Sequence, residues 1–287
     1  MNKIKSKIKL FNSILIDIND MIGFKSKLSK LFGFFLFLIP SLIFYKRILK
    51  FDKLILKNDI SYASKWLLKK YYKGVEIKSI ENIPDKSPLL IVCNHPGLGD
   101  ATSVLSVIKR NDLKIVVLDK QMYKSLEGIK DKIIVIPEDE KQKLKSILLI
   151  VKHLKEGKSI LLFAAGKIEK DPFFEKHSIL KEWANTIGYL TIKLNKLNIN
   201  FNILPILIEN VLCKKSLDHK LVLLKKNKEE QEKSAALHIF LTSSTKDQYI
   251  KLYFGNLLNS NTLNKFQNSQ EITNYVREKI IGLHKNL

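Results

Sequence analysis

The sequence predicts an α/β protein, a mostly parallel central sheet flanked by helices, behind an N-terminal helical segment that associates with a membrane. Two observations predict the sheet. From residue 75 onward, short and almost wholly apolar runs alternate with stretches of helical periodicity. The runs also lack the polar alternation of a half-solvated antiparallel strand, as expected of strands covered on both faces. A third observation concerns residues 1–72, whose basic start (Lys3, Lys5, Lys7, Lys9) leads into a long uncharged aromatic stretch. The boundary is placed between 72 and 73, giving a helical segment over 1–72 and an α/β domain over 73–287.

In the first segment, Leu31 to Tyr45 reads LFGFFLFLIPSLIFY. Lys25, Lys27 and Lys30 precede it, and Lys46 and Arg47 follow. A bilayer-spanning helix needs about 20 apolar residues, so the stretch is short. Pro40 and Ser41 are expected to break it into an interfacial or re-entrant pair, with lysines and aromatics at headgroup level. No small-residue cleavage site follows that would mark a removed signal peptide. A buried helix of the soluble core is the alternative. Residues 48–72 continue as an amphipathic helix, with Ile55, Ile60, Trp66, Leu67 and Tyr71 facing a core and Lys73-Gly74 ending it.

In the second segment, strands are expected at 75–80, 88–93, 113–118, 132–137, 159–164, 203–208 (split by Pro205), 237–242 and 249–254. Helices are expected at 100–109, 138–155, 179–197 and 271–285. In such sheets ligands bind beyond the carboxyl ends of the strands, which directs attention to the residues that follow the apolar runs.

Charge narrows the class of partner. Lys and Arg total 50 against 28 Asp and Glu, a formal net charge of +22. An anionic membrane surface, a nucleic acid and a solvated Lys-rich exterior are all compatible with that balance. Lysine far outnumbers arginine, whereas base-reading proteins lean on arginine. The lysines are spread along the chain without a nucleic-acid-binding signature, so no nucleic acid is expected. Cys93 and Cys213 each end an apolar run and form no metal-ligand spacing. They read as buried, reduced thiols, which suits a cytoplasmic face, and no metal or cofactor is expected.

Directly after the strand at 88–93 comes Asn94-His95-Pro96-Gly97-Leu98-Gly99-Asp100. Pro96 and the glycines turn the chain tightly. Asp100 then falls at a helix N-terminus, where a carboxylate is favoured. The turn can bring His95 and Asp100 together. A carboxylate on one ring nitrogen fixes the tautomer and leaves the other nitrogen as a base. That pair suits direct transfer of an acyl group to an alcohol, because the substrate brings its own hydroxyl.

This block, a histidine and an aspartate with four residues between them after a strand, resembles the signature of the glycerolipid acyltransferases. They move an acyl chain from a coenzyme A or acyl-carrier-protein thioester to a lysophospholipid or glycerol-phosphate hydroxyl. The resemblance implies His95 as general base and Asp100 as its partner, with Asn94, Gly97 and Gly99 beside the substrate. A second block follows the strand at 159–164: Phe163-Ala164-Ala165-Gly166-Lys167-Ile168-Glu169-Lys170-Asp171-Pro172. Phe163 and Gly166 match the family's acceptor-holding block. Ala165 stands at its glutamate and Ile168 at its arginine. Lys167 is expected to offer a cation to an anionic acceptor, with Glu169 orienting it. Between the two blocks the family normally carries an arginine after an apolar strand; here Ile133–Pro137 is followed by Glu138, Asp139 and Glu140, with no arginine. Pro205, inside an apolar strand, matches a fourth block and is expected to shape the acyl pocket or a strand edge. The resemblance spans roughly residues 76–256. It implies a membrane lipid surface, a lysophospholipid-type acceptor and acyl-CoA or acyl-carrier protein as partners.

Two other readings are open. One is a non-catalytic, basic membrane-surface protein of the same fold, favoured by the altered second block and opposed by the intact first. The other is a dinucleotide-binding domain, since Gly97-Leu98-Gly99 follows a strand and Asp119 lies about 20 residues on. Thr102 replaces its third glycine, and Asp100 would face the pyrophosphate that a helix N-terminus attracts. No G-x-S-x-G exists for an α/β-hydrolase.

Overall fold

The computed structural model describes residues 2–22, 26–137, 139–174 and 182–285. Lys25 and residues 138 and 179–181, which entered the expectations above, lie outside them. Three helices come first: α1 (Asn2–Ile22), α2 (Lys27–Lys57) and α3 (Ile60–Leu68). Asp59 caps α3 by accepting the Tyr62 N–H at 2.7 Å. Then follow β1 (Gly74–Lys78), β2 (Leu89–Cys93), α4 (Asp100–Val107), β3 (Lys114–Leu118), α5 (Gln121–Lys124) and β4 (Ile133–Ile136). Next come α6 (Glu140–Lys155), β5 (Ser159–Phe163), α7 (Thr186–Lys196), β6 (Asn202–Glu209), α8 (Lys214–Leu217) and α9 (Lys220–Leu223). The chain closes with α10 (Lys228–Thr242), β7 (Tyr249–Phe254), β8 (Leu258–Asn259) and α11 (Ser269–Lys285).

The strands form one sheet in the order β1-β7-β6-β2-β5-β3-β4, with β8 also paired to β6. From β4 across to β6 all pairings are parallel; β7 and β8 are antiparallel to β6. The apolar runs account for this layout, because their alternate side chains feed two cores. On β2, Leu89, Ile91 and Cys93 join a core with residues of α1–α4 and α10. Leu90 and Val92 join the other, with α6, α7 and α11. β2 lies between β5 and β6 in the middle of the sheet, so the loop after Cys93 leaves from the centre of the carboxyl edge.

Several expectations are corrected, among them the single helix over 48–72, which is interrupted between Lys57 and Ile60. Residues 237–242 are not a strand but the last turns of α10. Asn227 starts that helix by accepting the Glu230 N–H at 2.9 Å, and Glu229 and Glu230 occupy its first turn. The helix-forming run KEEQEKSAA then carries the apolar residues with it. Pro40 and Ser41 do not divide residues 31–45, which lie within the unbroken α2. A proline inside a helix costs about 3 kcal/mol by removing one backbone bond and crowding the preceding turn. Packing offsets this. Phe37, Ile48, Phe51 and Ile55 are buried in the first core with Leu10, Ile14 and Ile18 of α1.

Pro205 does not split β6 either. The β6 register with β7 ends at Ile206↔Phe254, and that with β8 begins at Ile203↔Leu258. Residues 255–257 thus oppose 204–205, a bulge, and proline is tolerated in a strand at such an irregularity. The Gly255 N–H donates to the Pro205 carbonyl at 2.9 Å, and a side chain on Gly255 would meet the proline ring at 2.8 Å.

Candidate active site

The turn after β2 brings His95 and Asp100 together. His95 Nδ1 and Asp100 Oδ2 are 2.5 Å apart. The carboxylate also accepts the Gly97 N–H at 3.2 Å and the Ala101 N–H at 2.6 Å. Asp100 is therefore an acceptor throughout, so Nδ1 carries the ring proton and Nε2 is the basic nitrogen. The Asp100 side chain is 1% exposed and that of His95 24%, which leaves the imidazole as the part of the pair that solvent or substrate can reach. Burial works against the imidazolium, but the Asp100 charge and its hydrogen bond outweigh that, with Glu169 adding, and the His95 pKa is raised.

His95 is held from below as well. Its backbone N–H donates to Glu169 Oε2 at 3.0 Å, and its carbonyl accepts the Glu169 N–H at 2.7 Å. The other Glu169 oxygen accepts the Trp183 indole N–H at 3.0 Å. Phe163 packs its ring 4.9 Å from the imidazole, at 36°. Asn94 is fully buried: its amide donates to the Ile208 carbonyl at 2.8 Å and accepts the Ile208 N–H at 2.7 Å. It extends the β2–β6 ladder by a side chain and sets where the His95 turn begins.

The arrangement can remove a proton from a hydroxyl at Nε2 and return it to a leaving group. One comparison with known proteins agrees with that chemistry. A family model described as acyltransferase matches residues 74–209, which include His95, Asp100 and Glu169. These residues, just under half of the chain, match the acyltransferase family. Among solved structures it is similar to the 1-acyl-sn-glycerophosphate (LPA) acyltransferase PlsC of Thermotoga maritima. Identity is 15% over 88% of this chain and 92% of that one, with a TM-score of 0.49. No curated protein matches.

The other residues expected at the site have varied placements. Gly97 and Gly99 serve close packing: a side chain would come within 2.9 Å of Val211 and 2.7 Å of Tyr72, respectively. Gly166, at φ +65°, closes a turn in which its N–H donates to the Phe163 carbonyl at 3.2 Å. Its N–H and that of Gly97 are thus already engaged within the chain and are not free to bind a developing oxyanion. Lys167 and Glu169 part company. Lys167 is half-exposed and bonds Glu229 of α10 at 3.3 Å, whereas Glu169 turns inward beneath His95. The chain turns inward after Lys167, and Ile168 and Glu169 are both buried. Pro205 lies on β6 beside Val92. A groove of about 460 Å³ runs along α1, lined by Ile8 and Ile16 and by Gln121, and shares no residue with the His95 cluster.

Three contributors were not singled out from sequence. Asp171 is buried, and its oxygens accept the N–H groups of Phe173, Asn210, Val211 and Leu212 at 2.6–3.1 Å. It thereby ties the loop after β5 to the loop after β6, while burial pushes its carboxyl up to about 6. Tyr72 donates to the Val211 carbonyl at 2.9 Å and walls the Gly99 turn. Trp183 anchors Glu169. An aspartate before Pro172 after a buried strand was the available signal for the first; Tyr72 and Trp183 had none.

Proposed function

We propose that this protein is an acyltransferase that moves a fatty acyl group from acyl-CoA or acyl-carrier protein to a hydroxyl of a lysophospholipid or glycerol-phosphate-type acceptor, in phospholipid synthesis or remodelling. The observation that supports it best is the His95–Asp100 pair at the centre of the carboxyl edge, with a buried carboxylate and a reachable imidazole. In this reading Nε2 takes the proton of the acceptor hydroxyl as its oxygen attacks the thioester carbonyl. The new carbon–oxygen bond forms, the carbon–sulfur bond breaks, and the departing thiolate takes the proton from the imidazolium. Asp100 keeps the ring oriented and stabilises its charge in between. Lys167, at the rim two residues before Glu169, would meet an anionic headgroup.

The acceptor would be reached at a membrane surface. Leu31, Phe35, Ile39 and Ile43 of α2 recur every fourth residue and are exposed, Phe35 by 68% and Ile39 by 69%. They make one stripe about 18 Å long on a helix rising about 1.5 Å per residue. Exposed Lys46 and Lys50 follow it. Among the described residues no helix is long and apolar enough to cross a membrane. A stripe of this kind lies in the plane of the interface.

The test is transfer from labelled acyl-CoA and acyl-carrier protein to a panel of lysolipids and glycerol phosphate, using the full chain bound to vesicles. A labelled product with one donor and acceptor is expected and names both. Folded, vesicle-bound protein that transfers to none of them would remove this substrate assignment.

A further inference from the structure

Between β6 and α10, residues 213–228 carry Lys214, Lys215, Lys220, Lys225, Lys226 and Lys228 against the single acid Asp218. Within that basic segment α9 turns only Val222 into the core. Leu221, Leu223 and Leu224 face outward, Leu224 being 77% exposed. Single exposed leucines are ordinary on a protein surface, but three in four residues, set among lysines, form a contiguous apolar patch with a cationic rim.

The patch is joined to the site. Glu229, the residue after Lys228, holds Lys167 on the loop that carries Glu169 beneath His95. Further along α10, Ala236 lies against Gly97 in the catalytic turn. α9 packs on α10, and α10 packs on both α1 and α2. Phe44 and Arg47 of α2 reach Phe240 of α10 and Ser243, which caps that helix. One helix therefore connects the leucine patch, the His95 turn and the helix bearing the exposed aromatic stripe.

We propose that α9 and its flanking lysines form a second contact with an anionic lipid surface, next to the mouth of the site and separate from the α2 stripe. The chemistry fits that partner on two counts. Leucine side chains gain by entering the acyl boundary. Each nearby lysine adds about fivefold to binding of a negatively charged leaflet. With contacts on two sides, the site opens against the leaflet rather than towards bulk water. This inference rests on the reading of α2 as a lipid contact.

The test places a fluorescent reporter at each contact of the full chain. Leu224→Trp and Phe35→Trp are compared with the parent protein on vesicles of phosphatidylglycerol and phosphatidylcholine, with and without brominated acyl chains. Both reporters are expected to shift to the blue and to be quenched by bromine. Leu223→Ser/Leu224→Ser should weaken vesicle binding about tenfold. Lys220→Gln/Lys226→Gln should weaken it more than tenfold on anionic vesicles only. A response from Phe35→Trp without one from Leu224→Trp overturns the inference and leaves the α2 reading standing. Silence from both overturns both. A Leu224→Trp response to an acidic acyl-carrier protein but not to vesicles overturns it in favour of protein docking.

Discussion

The carboxyl edge of the sheet and the long helix α2 treat water in opposite ways. At the edge, Asn94, Asp100, Glu169 and Asp171 are polar, buried and bonded to groups of this chain. Along α2, Leu31, Phe35, Ile39 and Ile43 are apolar and exposed. Buried polar groups cost little only when their partners are in place, so the edge is a finished, rigid mount whose one reactive element is the His95 ring. An exposed apolar stripe is completed by something outside the chain. The difference teaches that the polar groups of the site are satisfied within the fold, whereas α2 keeps an apolar stripe that the fold leaves exposed; under the proposed function that stripe is the part that meets a lipid surface.

If the edge is a mount for His95, disturbing its partners should cost activity in proportion to their closeness to the ring. The largest effect is expected from Asp100→Asn. An amide can donate to Nδ1, which moves the ring proton to Nε2 and removes the base. Turnover should fall by roughly 10³–10⁴ with the fold retained, as when a triad aspartate is neutralised. The measurement is kcat alongside circular dichroism, and near-normal kcat would break the pairing. Next comes Asp171→Asn, which turns an NH₂ towards backbone N–H donors that now meet a carboxylate. A stability loss of about 2–3 kcal/mol is expected from chemical unfolding. An unchanged midpoint would show that the two loops are tied otherwise.

Glu169→Gln should lower kcat about tenfold with KM little changed, because it acts through the His95 backbone and charge rather than on substrate. Its readout is the pH profile. The base works when deprotonated, so activity rises with pH through the His95 pKa, which Asp100 and Glu169 hold above the ordinary value of 6.5. Neutralising Glu169 should move that acidic limb to lower pH. A limb that stays in place would make Glu169 merely structural. The smallest effect is expected from Lys167→Gln. Its exposed pairing with Glu229 contributes less than about 1 kcal/mol to stability. Only KM for an anionic acceptor should rise, and an equal rise for a neutral acceptor would remove its headgroup role.

The sheet was legible because a parallel strand buried on both faces must be apolar throughout, and PLLIVC and SILLF could hardly be anything else. The His95–Asp100 pair was legible because both partners lie in one turn. Glu169 was found but misplaced: it reaches back 74 residues in sequence to the His95 N–H, and no spacing rule reports that. The helical fate of 237–242 hinged on the cap at Asn227, ten residues upstream of the apolar run that suggested a strand. Pro40 misled because local propensity says nothing of the α1 packing that carries α2 through it.

The most direct measurement is single-turnover acyl transfer by vesicle-bound protein with and without His95→Ala. The His95 side chain is 24% exposed and belongs to neither apolar core, so its loss is tolerable to the fold. Transfer should fall by at least 10²–10⁴ at every pH, with vesicle binding unchanged. Transfer within a few-fold of the parent would contradict His95 as the base, and the chemistry would have to be sought elsewhere along the carboxyl edge.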